Sequence, residues 1–166
     1  YGLPLGGDEF HAVTRPDPLG VGRRDAGFDL HAARVCGAEE LGFSHAWFID
    51  SQLVNADMFV AMAAAAVNTS RIRLGTGMLI PSNRIAPVAA NALASLNKLA
   101  PGRIDFGVAT GNTARRTMGL APVTLAELED YIRVVQGLLA RRTVAFHADG
   151  ADRKIRFLNP ELGLIN

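Results

Sequence analysis

RIRLGTGMLIPSNRIAP (residues 71–87) and PGRIDFGVATGN (residues 101–112) decide the fold of this 166-residue chain. Each runs from a short apolar strand into a glycine-bearing turn and on towards a helix. Strands that end alike, with helices between them, describe a repeated β-α unit. Such units join by right-handed crossovers into a parallel sheet, and ligands gather at the carboxyl ends of its strands, in a closed barrel or an open doubly wound sheet alike. The positions of interest are therefore Asp50, Thr76, Gly77 and Thr110 to Asn112.

Outward from these stretches the pattern repeats. SHAWFID (residues 44–50) is aromatic and apolar and ends at Asp50, which predicts another strand. Residues 1–7, YGLPLGG, predict a first strand, followed by a Pro-, Gly- and Asp-rich loop through Asp25 that is long for a connector. A helix is predicted over 28–41, stopped by Gly42. Asn55 is placed to cap a second helix over 56–67, whose alanine and methionine cover every face, so that it must be enclosed on more than one side. Pro87 suits the first turn of a third helix, which Pro101 and Gly102 end before a strand opening at Arg103. Thr124 and Glu127 have capping-box spacing, and Leu125, Leu128, Ile132, Val135 and Leu139 mark the apolar stripe of a helix ending near Arg141. Residues 143–166 predict a polar hairpin turning at Asp149 and Gly150 and returning through Ile155 and Phe157. The division expected is a β-α region over 1–141 and a hairpin segment over 142–166. Four β-α units result, whereas a closed (β/α)₈ barrel takes about 250 residues.

Composition bounds the function. About half the residues are apolar (49%), enough for a core, and a net charge of +1 offers no reason to expect nucleic acid or an anionic membrane as partner. The single cysteine, Cys36, excludes an internal disulfide framework and a CxxC metal site. His11, His31, His45 and His147 lack metal-ligand spacing, so no metal is expected. The longest apolar run, around residues 58–67, is about half a membrane span and reads as a buried helix. With no signal peptide visible, the cytoplasm is the expected compartment.

AEELGFSHAWFIDSQ, NTSRIRLGTGMLIPSNRIAPVAANALASLNKLAPGRIDFGVATGN and MGLAPVTLAELEDYIRVVQGLL follow one another and cover most of residues 38–139. Over this run the chain resembles the N-terminal half of the luciferase-like flavin- and deazaflavin (F420)-dependent oxidoreductases, near the methylenetetrahydromethanopterin-reductase-like branch. The resemblance implies a (β/α)₈ TIM barrel of which this chain supplies the first four β-α units, a half barrel. It implies FMN, or alternatively coenzyme F420, bound in the mouth at the strand C-termini, with hydride or oxygen transfer at a small organic substrate. Residue by residue, it places Asp50 and Ser51 on the substrate side as catalytic candidates. Thr76, Gly77 and Met78 would back the ring, with a non-prolyl cis peptide between Gly77 and Met78. Ala109, Thr110, Gly111 and Asn112 match the stretch that approaches the ribityl chain and phosphate. Two departures stand out: Ser51 replaces a histidine common in relatives, and Thr110 stands where luciferases proper carry a phosphate-pairing arginine.

Plainer readings exist for each. Asp50 also reads as a strand-end cap acceptor, Gly75 and Gly77 as room for close packing, Gly111 and Asn112 as an ordinary turn, Arg115 and Arg116 as a solvated pair, and His45 as a hydrogen-bonded strand residue. A truncated, non-catalytic flavin-binding or dimerisation module is the competing function. A Rossmann dehydrogenase is disfavoured because no GxGxxG follows the first strand.

Three structural expectations complete the reading. Arg73 and Asp105 pair on adjacent strands, in a register that sets Gly75 opposite Gly107. The chain forms a homodimer through the alanine-rich second and third helices, where relatives also dimerise, with Ala65 at the interface. Residues 1–166 leave strand edges and an apolar face open, so that a longer polypeptide or a second chain is expected to complete the barrel and cofactor affinity of these residues alone to be weak.

Overall fold

A computed structural model describes residues 28–158 and residue 163. The strand expected over 1–7 and the loop through Asp25 lie outside the described residues. Helix α1 (Phe28–Glu40) leads to strand β1 (His45–Phe48), α2 (Met58–Asn68), β2 (Arg73–Thr76), α3 (Ala86–Leu99) and β3 (Ile104–Asp105). The short α4 (Asn112–Thr117), α5 (Leu125–Leu139) and the strands β4 (Val144–Ala148) and β5 (Ala151–Ile155) follow. β1, β2 and β3 pair in parallel in that order, while β4 and β5 form an antiparallel hairpin. This is the β-α alternation expected, and the hairpin turns at Asp149 and Gly150, both at positive φ.

The alternation of each strand sorts its side chains between two faces. On one face Phe48, Leu74 and Thr76 are buried beneath the helices, in a core that includes Met58, Met62 and Ala65 of α2, Ala89 and Leu93 of α3, and Val134, Val135 and Leu138 of α5. On the other, His45 and Trp47 stack with ring centroids 6.0 Å apart, and Trp47 is 55% exposed. The indole lies across Gly75 and Gly77, at both of which a Cβ would collide with Trp47. Gly75 thus makes room for the ring and Gly77 for the Cβ that carries it.

Side chains tie the elements together at the N-terminal end of the sheet. Glu39, at the end of α1, accepts the backbone N–H groups of Ser70 (3.0 Å), Arg71 (2.5 Å) and Ile72 (2.8 Å), and these bonds hold its carboxyl below the usual carboxylate range. Arg103 donates to the carbonyls of Ala66, Thr69 and Ile72 and to Thr69 Oγ1, each at 3.0 Å. One guanidinium therefore closes the C-terminal end of α2, where helix carbonyls lack partners.

Four sequence expectations shift. The cap of α2 is Asp57, which accepts from Phe59 and Val60 N–H, and not Asn55. The stripe on α5 is rotated: Tyr131, Val134, Val135 and Leu138 are buried and Leu125 is 76% exposed. Arg73 does pair with Asp105, at 2.8 and 2.5 Å, but β2 and β3 align Gly75 with Asp105, two residues away from the register expected. An even offset keeps both side chains on one face, which is why the pair survives the slip. Finally, Ala65 is fully buried in the core and is no interface residue.

Candidate functional site

The parallel strands deliver Asp50, Thr76 and their successors to one end of the sheet. Asp50, two residues beyond β1, is 2% exposed. Its Oδ2 accepts the Ile80 N–H at 3.0 Å, and its Oδ1 accepts from Gln52 Nε2 at 2.8 Å and lies 3.4 Å from the Arg84 guanidinium. Asp50 thereby fastens the loop after β2 to the end of β1. Ser51 follows, half-buried, with its carbonyl accepting the Asn55 N–H at 3.0 Å.

Thr76 closes the next pair of strand ends. Its buried hydroxyl donates to the Gly107 carbonyl at 2.7 Å and accepts the Gly107 N–H at 2.9 Å. Gly77 donates its N–H to the Phe48 carbonyl at 2.6 Å, and the Gly77–Met78 peptide is cis, as the resemblance implied. Met78 itself is 42% exposed, while Leu79 behind it is buried and bridges in parallel to Val108. Ala109 donates to the Leu79 carbonyl at 3.1 Å, and Thr110 accepts from Val123 N–H at 3.0 Å. Gly111, at φ 78°, precedes α4, and a Cβ on it would run into Ile80 and Arg115. Asn112 is exposed at the first position of α4. The structure thus brings Asp50, Ser51, Thr76, Gly77 and Met78 to one end of the sheet, and the stretch from Ala109 joins them through the backbone of Leu79.

Residues that sequence reasoning did not single out complete this end. Arg84 bonds the carboxylate of Asp57, lies with its guanidinium carbon 4.7 Å from the centre of the Phe59 ring, and offers its carbonyl to the Tyr131 hydroxyl at 3.0 Å. Burial pushes the Tyr131 phenol well above its usual value, which keeps it a neutral donor. Gln52 Oε1 accepts from Asn83 Nδ2, and Asn83 Oδ1 is buried with no hydrogen-bond partner among the described residues. The signal available was position: QLVN after the first of these strands and PSNR after the second are the polar loops at strand C-termini, where sites of this architecture are built.

Among the described residues no group of histidine, cysteine, aspartate and glutamate side chains is arranged to hold a metal ion. No helix among them is long and apolar enough to cross a membrane.

The sequence model described as luciferase-like monooxygenase matches residues 9–161. A 5,10-methylenetetrahydromethanopterin reductase of Methanolobus tindarius is 32% identical over 121 residues, covering 72% of this chain and 36% of that protein. The coenzyme F420-dependent tetrahydromethanopterin reductase of Methanopyrus kandleri superposes with a TM-score of 0.66 at 24% identity, over 78% of this chain and 42% of that one. The oxygenating constituent of 3,6-diketocamphane monooxygenase of Pseudomonas putida, a type II Baeyer–Villiger monooxygenase solved with FMN, gives 0.68 at 13% identity, over 84% and 41%. These two likenesses establish the α/β fold of the barrel family. The chain spans less than half the length of the curated relatives it matches.

Proposed function

The chain belongs to the luciferase-like monooxygenase family, and from that premise we propose that it forms the cofactor-facing half of a flavin-dependent oxidoreductase acting on a small organic substrate. The observation that carries this reading is that the loop after β2, at one end of the sheet, holds both the half-exposed Met78 and a buried amide oxygen, Asn83 Oδ1, with no hydrogen-bond partner among the described residues. A planar heteroaromatic ring needs such a combination, an apolar surface for its face and a hydrogen-bonding group for its edge. Thr76, Gly77 and Met78 would back the ring, and Ala109, Thr110, Gly111 and Asn112 would follow its polar tail. When bound, FMN would supply hydride or oxygen transfer. Ser51 would offer its hydroxyl on the substrate side, and Asp50 would act through the loop and side chains it holds.

Coenzyme F420 is the alternative cofactor, favoured by the F420-dependent reductase among the similar structures, as FMN is by the monooxygenase. The exposed face carrying His45 and Trp47 is, in this reading, the interior of a barrel whose first four units lie in residues 1–141, with 142–166 leading onward. A second copy would dock on α2 and α3.

The deciding experiment titrates the full-length protein with FMN and with F420, following cofactor fluorescence and absorbance. Micromolar or tighter binding of one of them is expected. A protein that binds neither, yet dimerises, would establish the non-catalytic module instead.

A further inference from the structure

Asp50, Gln52 and Asn83 form a relay with a fixed direction. Asp50 takes the Ile80 N–H on one oxygen and faces Arg84 on the other, as an ionised carboxylate does, and such a group accepts hydrogen bonds but cannot donate them. Gln52 must therefore present its amide nitrogen to Asp50, which leaves its Oε1 for the next partner. That oxygen in turn requires a donor, so Asn83 presents Nδ2 and its own Oδ1 is left over. Turning the Asn83 amide would set two carbonyl oxygens against each other, and turning both amides would set Gln52 Oε1 against the carboxylate. The orphan acceptor is thus imposed by Asp50, 33 positions away in sequence and beside it in the fold. Buried acceptors without donors are destabilising and uncommon in native proteins. Gln52 and Asn83 are both half-buried residues in loops at the strand C-termini, the end of the sheet where ligands of this architecture collect.

We propose that Asn83, oriented through Gln52 by Asp50, is a specificity-determining residue that accepts a hydrogen bond from a ring N–H of the bound cofactor. The inference rests on the reading given under Proposed function. Flavins and deazaflavins share a pyrimidinedione ring whose imide N–H lies between two carbonyls. A carboxamide matches that edge: Oδ1 accepts the N–H, and the second hydrogen on Nδ2 is free for a neighbouring carbonyl. The relay discriminates because it offers an acceptor where a reversed relay would offer a donor, and a site built to take a hydrogen bond rejects the analogue that lacks one.

The test compares FMN with 3-methyl-FMN, in which the imide N–H is replaced by N–CH₃, by fluorescence titration of the full-length protein. The corresponding pair of deazaflavins is used if F420 alone binds. Wild type should prefer the unmethylated ring by about tenfold or more. Asn83→Leu should lose the preference whatever it does to the melting temperature, since it removes Oδ1 and also takes the donor from Gln52 Oε1. Asp50→Asn should lose it with Asn83 intact, because the relay can then reverse. Gln52→Leu should lose it by releasing the Asn83 amide, and provides the same readout if Asp50→Asn fails to fold. Equal binding of both rings by wild type, or a preference that persists in Asn83→Leu, overturns the inference and leaves the oxidoreductase reading standing. Failure of FMN and F420 alike to bind wild type overturns that reading, and this inference with it.

Discussion

Asp105 accepts two bonds from Arg73 and lies 3.7 Å from His45 Nε2 on the exposed face of the sheet. The Arg73 hydrogen bonds hold the Asp105 carboxyl below the usual carboxylate range. A depressed folded value adds stability above the unfolded carboxylate pKa, roughly 4, and that stability is lost as pH falls through the folded value. Asp105→Asn should therefore melt below wild type at neutral pH, with the gap closing in strong acid. Trp47 is the only tryptophan in the chain and reports the melt by its fluorescence. A gap of constant size down to the acid limit would remove the ion pair as its cause. At Gly107 the constraint is steric: a Cβ there would overlap the Thr76 carbonyl oxygen, a backbone atom that cannot swing aside. Gly107→Ala should cost about 1–3 kcal/mol, read from urea midpoints, because it also disturbs the two bonds between Thr76 and Gly107. An unchanged midpoint would mean that the β2 and β3 ends separate freely.

Helix ends were the most legible elements. Thr124 and Glu127 form the reciprocal capping box their spacing predicts, with Thr124 N–H donating to Glu127 Oε2 at 2.7 Å and Glu127 N–H to Thr124 Oγ1 at 3.2 Å. Thr124→Ala should lower stability by about 1 kcal/mol, whereas Thr124→Ser should nearly restore it; an equal loss in both would point away from the cap. The cap of α2 was harder, since Asn55 and Asp57 both suit the role, and the choice falls to Asp57, which also bonds Arg84. The burial of α5 was illegible for a tertiary reason. Gly137 is buried against Val144, where a Cβ would collide, so the helix turns its Tyr131, Val134, Val135 and Leu138 face inward and leaves Leu125 outside. The same limit hid part of the candidate site. Asp50 stands out as a charge at the end of an apolar strand, but Gln52 and Asn83 are ordinary polar loop residues until parallel pairing of β1 and β2 brings their loops together.

At the scale of the whole molecule, the proposed docking of a second copy falls on what the helices leave exposed. Ala65, Ala89 and Ala90 are spent on packing α2 and α3 into the core, so the alanine-rich segments serve the fold first. The outward faces are nonetheless apolar: Val60 and Val67 on α2 and Val88 and Leu99 on α3 are about half-exposed or more. Between the helices runs an open groove of about 330 Å³ lined by Phe59, Val60, Ala63, Ala92, Ser95, Leu96 and Leu99, with no charged side chain among them. Uncharged surface of this kind on paired helices is what a stable interface covers, given about 1,000 Å² or more in total. In a two-fold dimer each groove would receive the partner's copy of the same ridge. Val60→Lys places a charge in that groove without touching the core, unlike any change at Ala65. The wild type should sediment as a dimer at micromolar concentration, and the variant as a monomer whose melt differs only by losing its dependence on protein concentration. A wild type that sediments as a monomer across the whole micromolar range would leave these helix faces without a partner of their own kind.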